Sequence, residues 1–280
     1  MTTTTIRKAG VIGWPIHHSR SPVIHGYWLK QYGIDGTYDA IAISPDEVSS
    51  FLKNFREKGL QGANVTIPHK ETLIPYLDEI DNSAQKIGAV NTIWLKDNKL
   101  LGMNTDWIGF AANLDDHVPD WSKNNNCALV LGAGGAARGV LFALIDRGFK
   151  EIYLANRTYE RALSLKDVFG EQIKPIQWSE IGSVLLKANL IVNTTSLGME
   201  GQPPLEIDLV DVDEKTLVTD IVYSPLVTPL IAKAKARGLT TVDGLGMLLH
   251  QAAPGFEKWF GVFPKVDETL RQMVIKDMGL

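Results

Sequence analysis

The sequence predicts an α/β protein of two domains, and three observations carry that reading. Its 280 residues correspond to roughly two domains at about 150 residues each, both large enough to bury a core. Short apolar runs alternate with helical patterns along most of the chain, and several are continuously apolar, as parallel strands buried on both faces are. A polar stretch, 115–126, closing on Asn124-Asn125-Asn126, is the clearest break between the two halves. The expected divisions are 1–110, 111–244 and a helical tail, 245–280. With 45% hydrophobic and 21% charged residues the chain is neither disordered nor fibrous, and a net charge of -4 points away from nucleic acid as a partner. Cys127 is the single cysteine, so no internal disulfide forms and a reducing, cytoplasmic setting is expected.

A threonine run, Thr2–Thr5, precedes the short apolar strand Ala9–Gly13. The apolar stretch Val11–Ile16 is too short for a signal-peptide core and is interrupted by Gly13 and Pro15. Ser21-Pro22 reads as a cap followed by a first-turn proline, and Val23, Ile24, Tyr27 and Trp28 give the helix after it an apolar face. Thr37–Ile43 is a strand. Ser44 and Glu47 have the spacing of a capping box for a second helix that buries Phe51, Leu52 and Phe55. Gly62–Thr66 is the next strand, ended by Pro68. Val90–Leu95 and Leu100–Asn104 flank Asp97-Asn98 as a hairpin, and a helix runs from Asp106 to Leu114.

In the second half the strands are Ala128–Leu131, Glu151–Ala155, Lys174–Gln177, Leu190–Asn193, Leu217–Ile221 and Thr240–Val242. Helical stretches separate most of them, as right-handed crossovers require. Cys127 to Ile145 imitates a membrane span, but Arg138 and the glycines at 132, 134, 135 and 139 would be costly in lipid. A buried strand, a tight turn and a packed helix accommodate the same residues, so no membrane span is expected. Leu245–Leu280 is helical without a strand and is expected to pack back on another domain.

Gly132-Ala133-Gly134-Gly135-Ala136-Ala137 sits between a strand and a helix. Glycines there allow a sharp turn and close approach of backbone amides to a pyrophosphate, with the helix N-terminus adding positive partial charge. The alternative is an ordinary glycine-rich turn. An NAD site usually has an acid after the next strand, to accept from the ribose hydroxyls; here stand Asn156, Arg157 and Thr158, with Arg161 a turn further on. Two bases and no acid favour the 2′-phosphate of NADP. Small polar residues crowd the strand ends of the first domain. Ser19-Arg20-Ser21 can hold a carboxylate with two hydroxyls and free amides, or Ser21 merely caps. Lys70 lies just beyond a strand end and a proline, and Asn91 and Asp106 flank the hairpin; singly, each reads equally as a surface lysine, a turn or a cap.

Together these residues resemble the shikimate dehydrogenase family nearly end to end. The motifs are Ser19-x-Ser21, Asn64-Val65-Thr66-x-Pro68-x-Lys70, Gly88-Ala89-Val90-Asn91-Thr92 and Asn104-Thr105-Asp106. They continue as the glycine turn, Asn156-Arg157-Thr158-x-x-Arg161, Asn193-Thr194-Thr195-Ser196-x-Gly198-Met199, and Asp243-Gly244-Leu245-Gly246-Met247-Leu248 with Gln251. The resemblance implies NADPH-dependent reduction of 3-dehydroshikimate to shikimate, in aromatic amino-acid biosynthesis. It implies a substrate domain and a Rossmann-type, doubly wound NADP domain facing a cleft, with C-terminal helices returning to the substrate domain. Ser19, Ser21 and Tyr223 would hold the substrate carboxylate, and Thr66, Asn91, Asp106 and Gln251 the ring hydroxyls. Lys70 would be the general acid/base, partnered by Asp106. Thr194, Ser196, Gly244 and Met247 join Gly132, Ala133, Gly134, Gly135, Ala136, Asn156, Arg157, Thr158 and Arg161 as cofactor contacts. Two positions depart from the family pattern: His25 is followed by Gly26 rather than asparagine, and Ala137 replaces the third fingerprint glycine.

The histidines lack ligand-type spacing, so no metal is expected, and His69 reads as a surface neighbour of Lys70. Cys127 reads as a small core residue, and Met199 and Met247 as packing around the nicotinamide pocket. Competing readings are a quinate/shikimate dehydrogenase with relaxed cofactor use, an aminoshikimate-type relative and a non-catalytic ligand-sensing paralogue. The sequence does not distinguish a monomer from a homodimer.

Overall fold

The computed structural model describes residues 6–280, so the threonine run at Thr2–Thr5 lies outside the described residues. Contacts divide the chain into two units, one running to Thr105 and resuming at Leu249–Leu280, the other comprising Asp106–Leu248.

The first unit contains β1 (Arg7–Gly13), α1 (Ser21–Gln31), β2 (Gly36–Ala42), α2 (Val48–Lys53), β3 (Leu60–Val65), β4 (Glu79–Ile80), α3 (Asn82–Ile87), β5 (Thr92–Lys96) and β6 (Lys99–Met103). Its sheet has the order β2-β1-β3-β5-β6-β4. β1 is parallel to β2 and β3, while β5 is antiparallel to both β3 and β6. The β5–β6 turn has positive φ at Asp97 (49°) and Asn98 (60°), the geometry of a type I′ hairpin, which short polar side chains tolerate. Ser21 is the first residue of α1 rather than its cap. The position before it is Arg20, whose side chain makes no capping bond, and the Ser19 Oγ accepts from the Ser21 N–H at 3.3 Å. Ser44 donates to Glu47 Oε2 through its N–H (3.0 Å) and hydroxyl (2.6 Å), but the closed turn precedes α2, which starts at Val48. Phe51, Leu52 and Phe55 join Ile12, Ala63, Val65 and Ile93 in the core on one face of this sheet.

The second unit contains α4 (Asp106–His117), β7 (Cys127–Leu131), α5 (Gly135–Asp146), β8 (Glu151–Ala155), α6 (Tyr159–Phe169), β9 (Ile173–Ile176), α7 (Ile181–Leu185), β10 (Leu190–Asn193), β11 (Leu217–Asp220), α8 (Pro229–Ala236) and β12 (Thr240–Val242). The sheet order β12-β11-β10-β7-β8-β9 is parallel throughout and reverses direction between β7 and β10. That is the doubly wound dinucleotide-binding order, with its ligand crevice expected at the reversal. β7 is buried on both faces. Ala128 and Val130 pack towards α4, α5 and α6, and Leu129 and Leu131 towards α7 and α8. The segment that imitated a membrane span is thus β7, its turn and α5; no helix among the described residues is long and apolar enough to cross a membrane. The polar stretch expected to divide the chain lies inside this unit. Phe110 and Leu114 of α4 belong to its core, and the Trp121 ring packs on Phe110 and Phe149.

The short helix α9 (Leu245–His250) is followed by α10 (Ala253–Phe260) and α11 (Glu268–Asp277), which rejoin the first unit. α11 packs on α1 through Arg20–Asp277 (2.6 Å) and through the Tyr27 hydroxyl, which donates to Asp267 at 3.0 Å. α10 lies on the other sheet face, where β2, β1 and β3 bring Tyr38, Ala9 and Gly62 into one row. The row is large, small, small. A Cβ on Gly62 would sit 2.0 Å from the Trp259 Nε1, so glycine is what lets α10 approach and the indole donate to the Ile93 carbonyl at 2.9 Å.

Candidate active site

In the second unit the glycine turn follows β7. Gly132 has φ +103°, and a Cβ there would stand 2.8 Å from the Thr194 Oγ1. Gly134 and Gly135 stand at the start of α5, both exposed and with nothing within 4 Å of an added Cβ. The Ala133 N–H donates to the Asn156 Oδ1 (3.1 Å), and the Asn156 Nδ2 donates to the Thr158 carbonyl (2.8 Å). One side chain therefore ties the phosphate turn to the turn after β8, where Arg157, Thr158 and Arg161 are exposed. Thr194 donates from its hydroxyl to the Leu131 (2.8 Å) and Gly132 (3.2 Å) carbonyls, pinning the β10 end to the β7 end. Ser196 is exposed in the same loop, Met247 packs half-buried against the core, and a Cβ on Gly244 would meet the Ile221 carbonyl at 2.4 Å.

A buried carboxylate holds this loop. Asp220 accepts from the Asn193 Nδ2 (3.0 Å), the Val222 N–H (3.0 Å) and the Thr228 hydroxyl (2.7 Å). Burial pushes its pKa up, while the three donors oppose the shift. Asn193 in turn accepts from the Thr195 N–H and hydroxyl. Asp220 thus joins the loop bearing Thr194 and Ser196 to the segment bearing Tyr223. Sequence reading gave Asn193 and Asp220 no role; an acid ending an apolar strand was the available signal.

In the first unit, β1, β3 and the hairpin end in one hydrogen-bonded cluster. The Thr66 N–H donates to the Ile12 carbonyl (3.0 Å) and the Val65 N–H to the Asn91 carbonyl (2.7 Å). The Val90 N–H donates to the Lys70 carbonyl at 2.7 Å, so the lysine turn and the Asn91 segment are one structure. His69 is not a surface residue. It is 1% exposed, and its Nε2 lies 2.7 Å from the Ile43 carbonyl, which anchors the turn that carries Lys70. The Asn91 Oδ1 accepts from the Thr92 hydroxyl (3.1 Å) and from the Thr105 N–H (2.8 Å) and hydroxyl (3.1 Å), which fixes its amide. Ser19, Thr66, Lys70 and Gln251 are half-buried in this unit and Ser21 is buried; Asp106 and Tyr223, both half-buried, belong to the second. No group of His, Cys, Asp or Glu able to hold a metal occurs among the described residues, and burial pushes the Cys127 thiol up to about 11, away from nucleophilic use. Met199 is 40% exposed rather than packed.

A family model described as the shikimate dehydrogenase substrate binding domain matches residues 11–93, one described as shikimate / quinate 5-dehydrogenase matches 116–247, and one described as the shikimate 5′-dehydrogenase C-terminal domain matches 244–273. A shikimate dehydrogenase (NADP(+)) of Azorhizobium caulinodans is 52% identical over 274 residues, covering 98% of each chain. The chain belongs to the shikimate dehydrogenase family. Among solved structures of the family, the Thermus thermophilus enzyme in complex with NADP(H) and shikimate is 35% identical, covers 96% of this chain and 100% of its own, and superposes with a TM-score of 0.84. A quinate dehydrogenase from Corynebacterium glutamicum in complex with NAD is 29% identical, with a TM-score of 0.88 over 98% of this chain and 99% of its own. The family's cofactor suits the second unit as built. The positive φ of Gly132, the exposed Gly134 and Gly135 at the start of α5 and the exposed arginines after β8 fit a dinucleotide carrying a 2′-phosphate.

Proposed function

We propose that the chain catalyses the reversible, NADPH-dependent reduction of 3-dehydroshikimate to shikimate, with Lys70 as general acid/base and Asp106 as its partner. The observation that carries this reading is the 2.7 Å bond from the Val90 N–H to the Lys70 carbonyl, because it holds one cation and the fixed amide of Asn91 on joined segments. Bound NADPH supplies the hydride. As negative charge grows on the ketone oxygen, the Lys70 ammonium stabilises it and donates the proton; in the oxidative direction the amine takes the proton from the hydroxyl. Asn91, its amide fixed through Oδ1, holds a ring hydroxyl together with Thr66, Gln251 and Asp106. Ser19, Ser21 and Tyr223 hold the carboxylate.

On the cofactor side the assignment is Gly132 to Ala136 with Thr194 and Ser196 for the pyrophosphate and its surroundings, and Arg157, Arg161, Thr158 and Asn156 for the 2′-phosphate end. Gly244 and Met247 line the remainder. The enzyme works in the cytoplasm, as monomer or homodimer. Lys70→Ala tests the chemical step. It is expected to lower kcat by about 10²- to 10⁴-fold with little change in the KM for NADPH. A variant that retained most of its turnover number would remove Lys70 from the mechanism.

A further inference from the structure

An asparagine on the buried face of a helix needs a reason. Asn113 of α4 is 2% exposed, with Phe110, Ala111 and Leu114 beside it in the core. Asparagine is a poor helix former, and burying its amide costs free energy that hydrogen bonds must offset. Here they offset only half of it. The Nδ2 donates to the Asp243 carbonyl at 2.7 Å. Because a carbonyl only accepts, that bond settles which way the amide faces, and the Oδ1 finds no donor among the described residues. A leucine of similar size would fill the space without an orphan acceptor, so packing alone does not explain Asn113. The bond to Asp243 does.

That bond reaches the segment that follows β12. The Asp243 Oδ1 accepts from the Leu245 N–H at 3.0 Å, at the start of α9. Two glycines let this segment close in on both of its neighbours. A Cβ on Gly244 would strike the Ile221 carbonyl just beyond β11, and one on Gly246 would fall on the Asn113 carboxamide, 2.5 Å from its Cγ. The three atoms nearest to that second Cβ all belong to Asn113, so this one side chain is what requires glycine at position 246. Leu245 between the glycines is fully buried, and Met247 packs half-buried against the core. The segment is therefore wedged between α4 and the end of β11, on the strand-end edge where a doubly wound sheet takes its dinucleotide.

We propose that Asn113 is a positioning residue for the dinucleotide: by holding the Asp243 carbonyl and seating Gly246 against its own amide, it sets the place of Gly244 and Met247. The inference rests on the assignment of Gly244 and Met247 as cofactor contacts. Asn113 touches no ligand in this scheme and acts only through the segment it holds. It lies two turns along α4 from Asp106, so the helix that begins with the proposed partner of Lys70 also places the cofactor segment.

The test is a double-mutant cycle of Asn113→Ala and Gly246→Ala, read as kcat and KM for NADP and for shikimate, with melting temperatures alongside and Met247→Ala as a separate variant. Asn113→Ala is expected to raise the KM for NADP about tenfold, with the KM for shikimate within about twofold. Gly246→Ala should do at least as much, because its methyl group meets the Asn113 amide. In the Asn113→Ala background the same methyl group has room, 3.3 Å from the remaining Cβ, so the double variant should be no worse than Asn113→Ala alone. A lowered melting temperature with an unchanged KM for NADP in Asn113→Ala would reduce Asn113 to a structural role. Additive effects in the double variant would mean that Gly246 is not seated by Asn113, and would overturn the proposal. An unchanged KM for NADP in Met247→Ala would instead refute the assignment of this segment to the cofactor, and the positioning role with it.

Discussion

At the scale of single residues the most consequential ones are buried polar groups, and His25 allows a direct test of how they are held. Burial pushes its pKa down from 6.5 to about 3, only partly offset by the bond to Asn64. Between those values the unfolded chain takes up a proton that the folded protein refuses, so stability falls as the pH drops below about 6.5. The slope from this one group is roughly 1.4 kcal/mol per pH unit, ending near pH 3 where the folded form protonates too. Urea unfolding between pH 7 and pH 5 should show this slope in the wild type and its loss in His25→Phe; parallel pH profiles for the two proteins would contradict it. Lys70, Asn91, Ser19 and Ser21 were legible in the sequence only through the spacing of whole motifs, since each is common in turns or on surfaces. His69 was misread because a histidine beside an exposed proline resembles a surface residue, and its partner, the Ile43 carbonyl, lies 26 residues away in sequence. The row of Tyr38, Ala9 and Gly62 gave no sign at all, because it runs across three strands and a one-dimensional pattern does not show it.

At the scale of elements, two junctions carry the nucleotide side. Gly132→Ala forces a side chain into a left-handed φ and against Thr194, so the β7 turn must move. The expected result is a rise of at least about tenfold in the KM for NADPH with the KM for 3-dehydroshikimate nearly unchanged, and equal affinity for NADPH would show that the turn is not the phosphate cradle. Asp220→Ala removes the acceptor shared by Asn193, Val222 and Thr228 and leaves those donors buried. A loss of about 3 kcal/mol in denaturant unfolding is expected, and a loss under about 1 kcal/mol would mean that water replaces the carboxylate. Strands of the second unit were placed almost to the residue because most are continuous apolar runs bounded by polar ends, as in Glu151–Ala155 and Leu190–Asn193. β4, only Glu79–Ile80, escaped notice because two residues make no pattern. The start of α1 was misassigned because serine before proline is a common cap signal, whereas here the preceding Ser19 hydroxyl covers the first turn.

At the scale of the whole molecule, the chain's path was more legible than its division. The strandless tail was expected to return to another domain, and α10 and α11 do rejoin the first unit. The polar run 115–126 was a poor marker, because Phe110 and Leu114 before it, Trp121 within it and Ala128 after it belong to one core. The contacts instead change after Thr105, in the middle of a motif that binds Asn91 and opens α4, where composition has no reason to change. On the proposed reading, this family member reduces the shikimate-type ketone with NADPH and would read the 2′-phosphate through Arg157 and Arg161. The direct measurement is nicotinamide absorbance with purified protein, crossing shikimate and quinate against NADP and NAD in the wild type and in Arg157→Ala. Turnover concentrated on shikimate with NADP is the predicted result, together with a loss of about ten- to a hundredfold in kcat/KM for NADP, but not for NAD, in the variant. Strong turnover of quinate or of NAD by the wild type, or an Arg157→Ala enzyme that still prefers NADP as before, would contradict it.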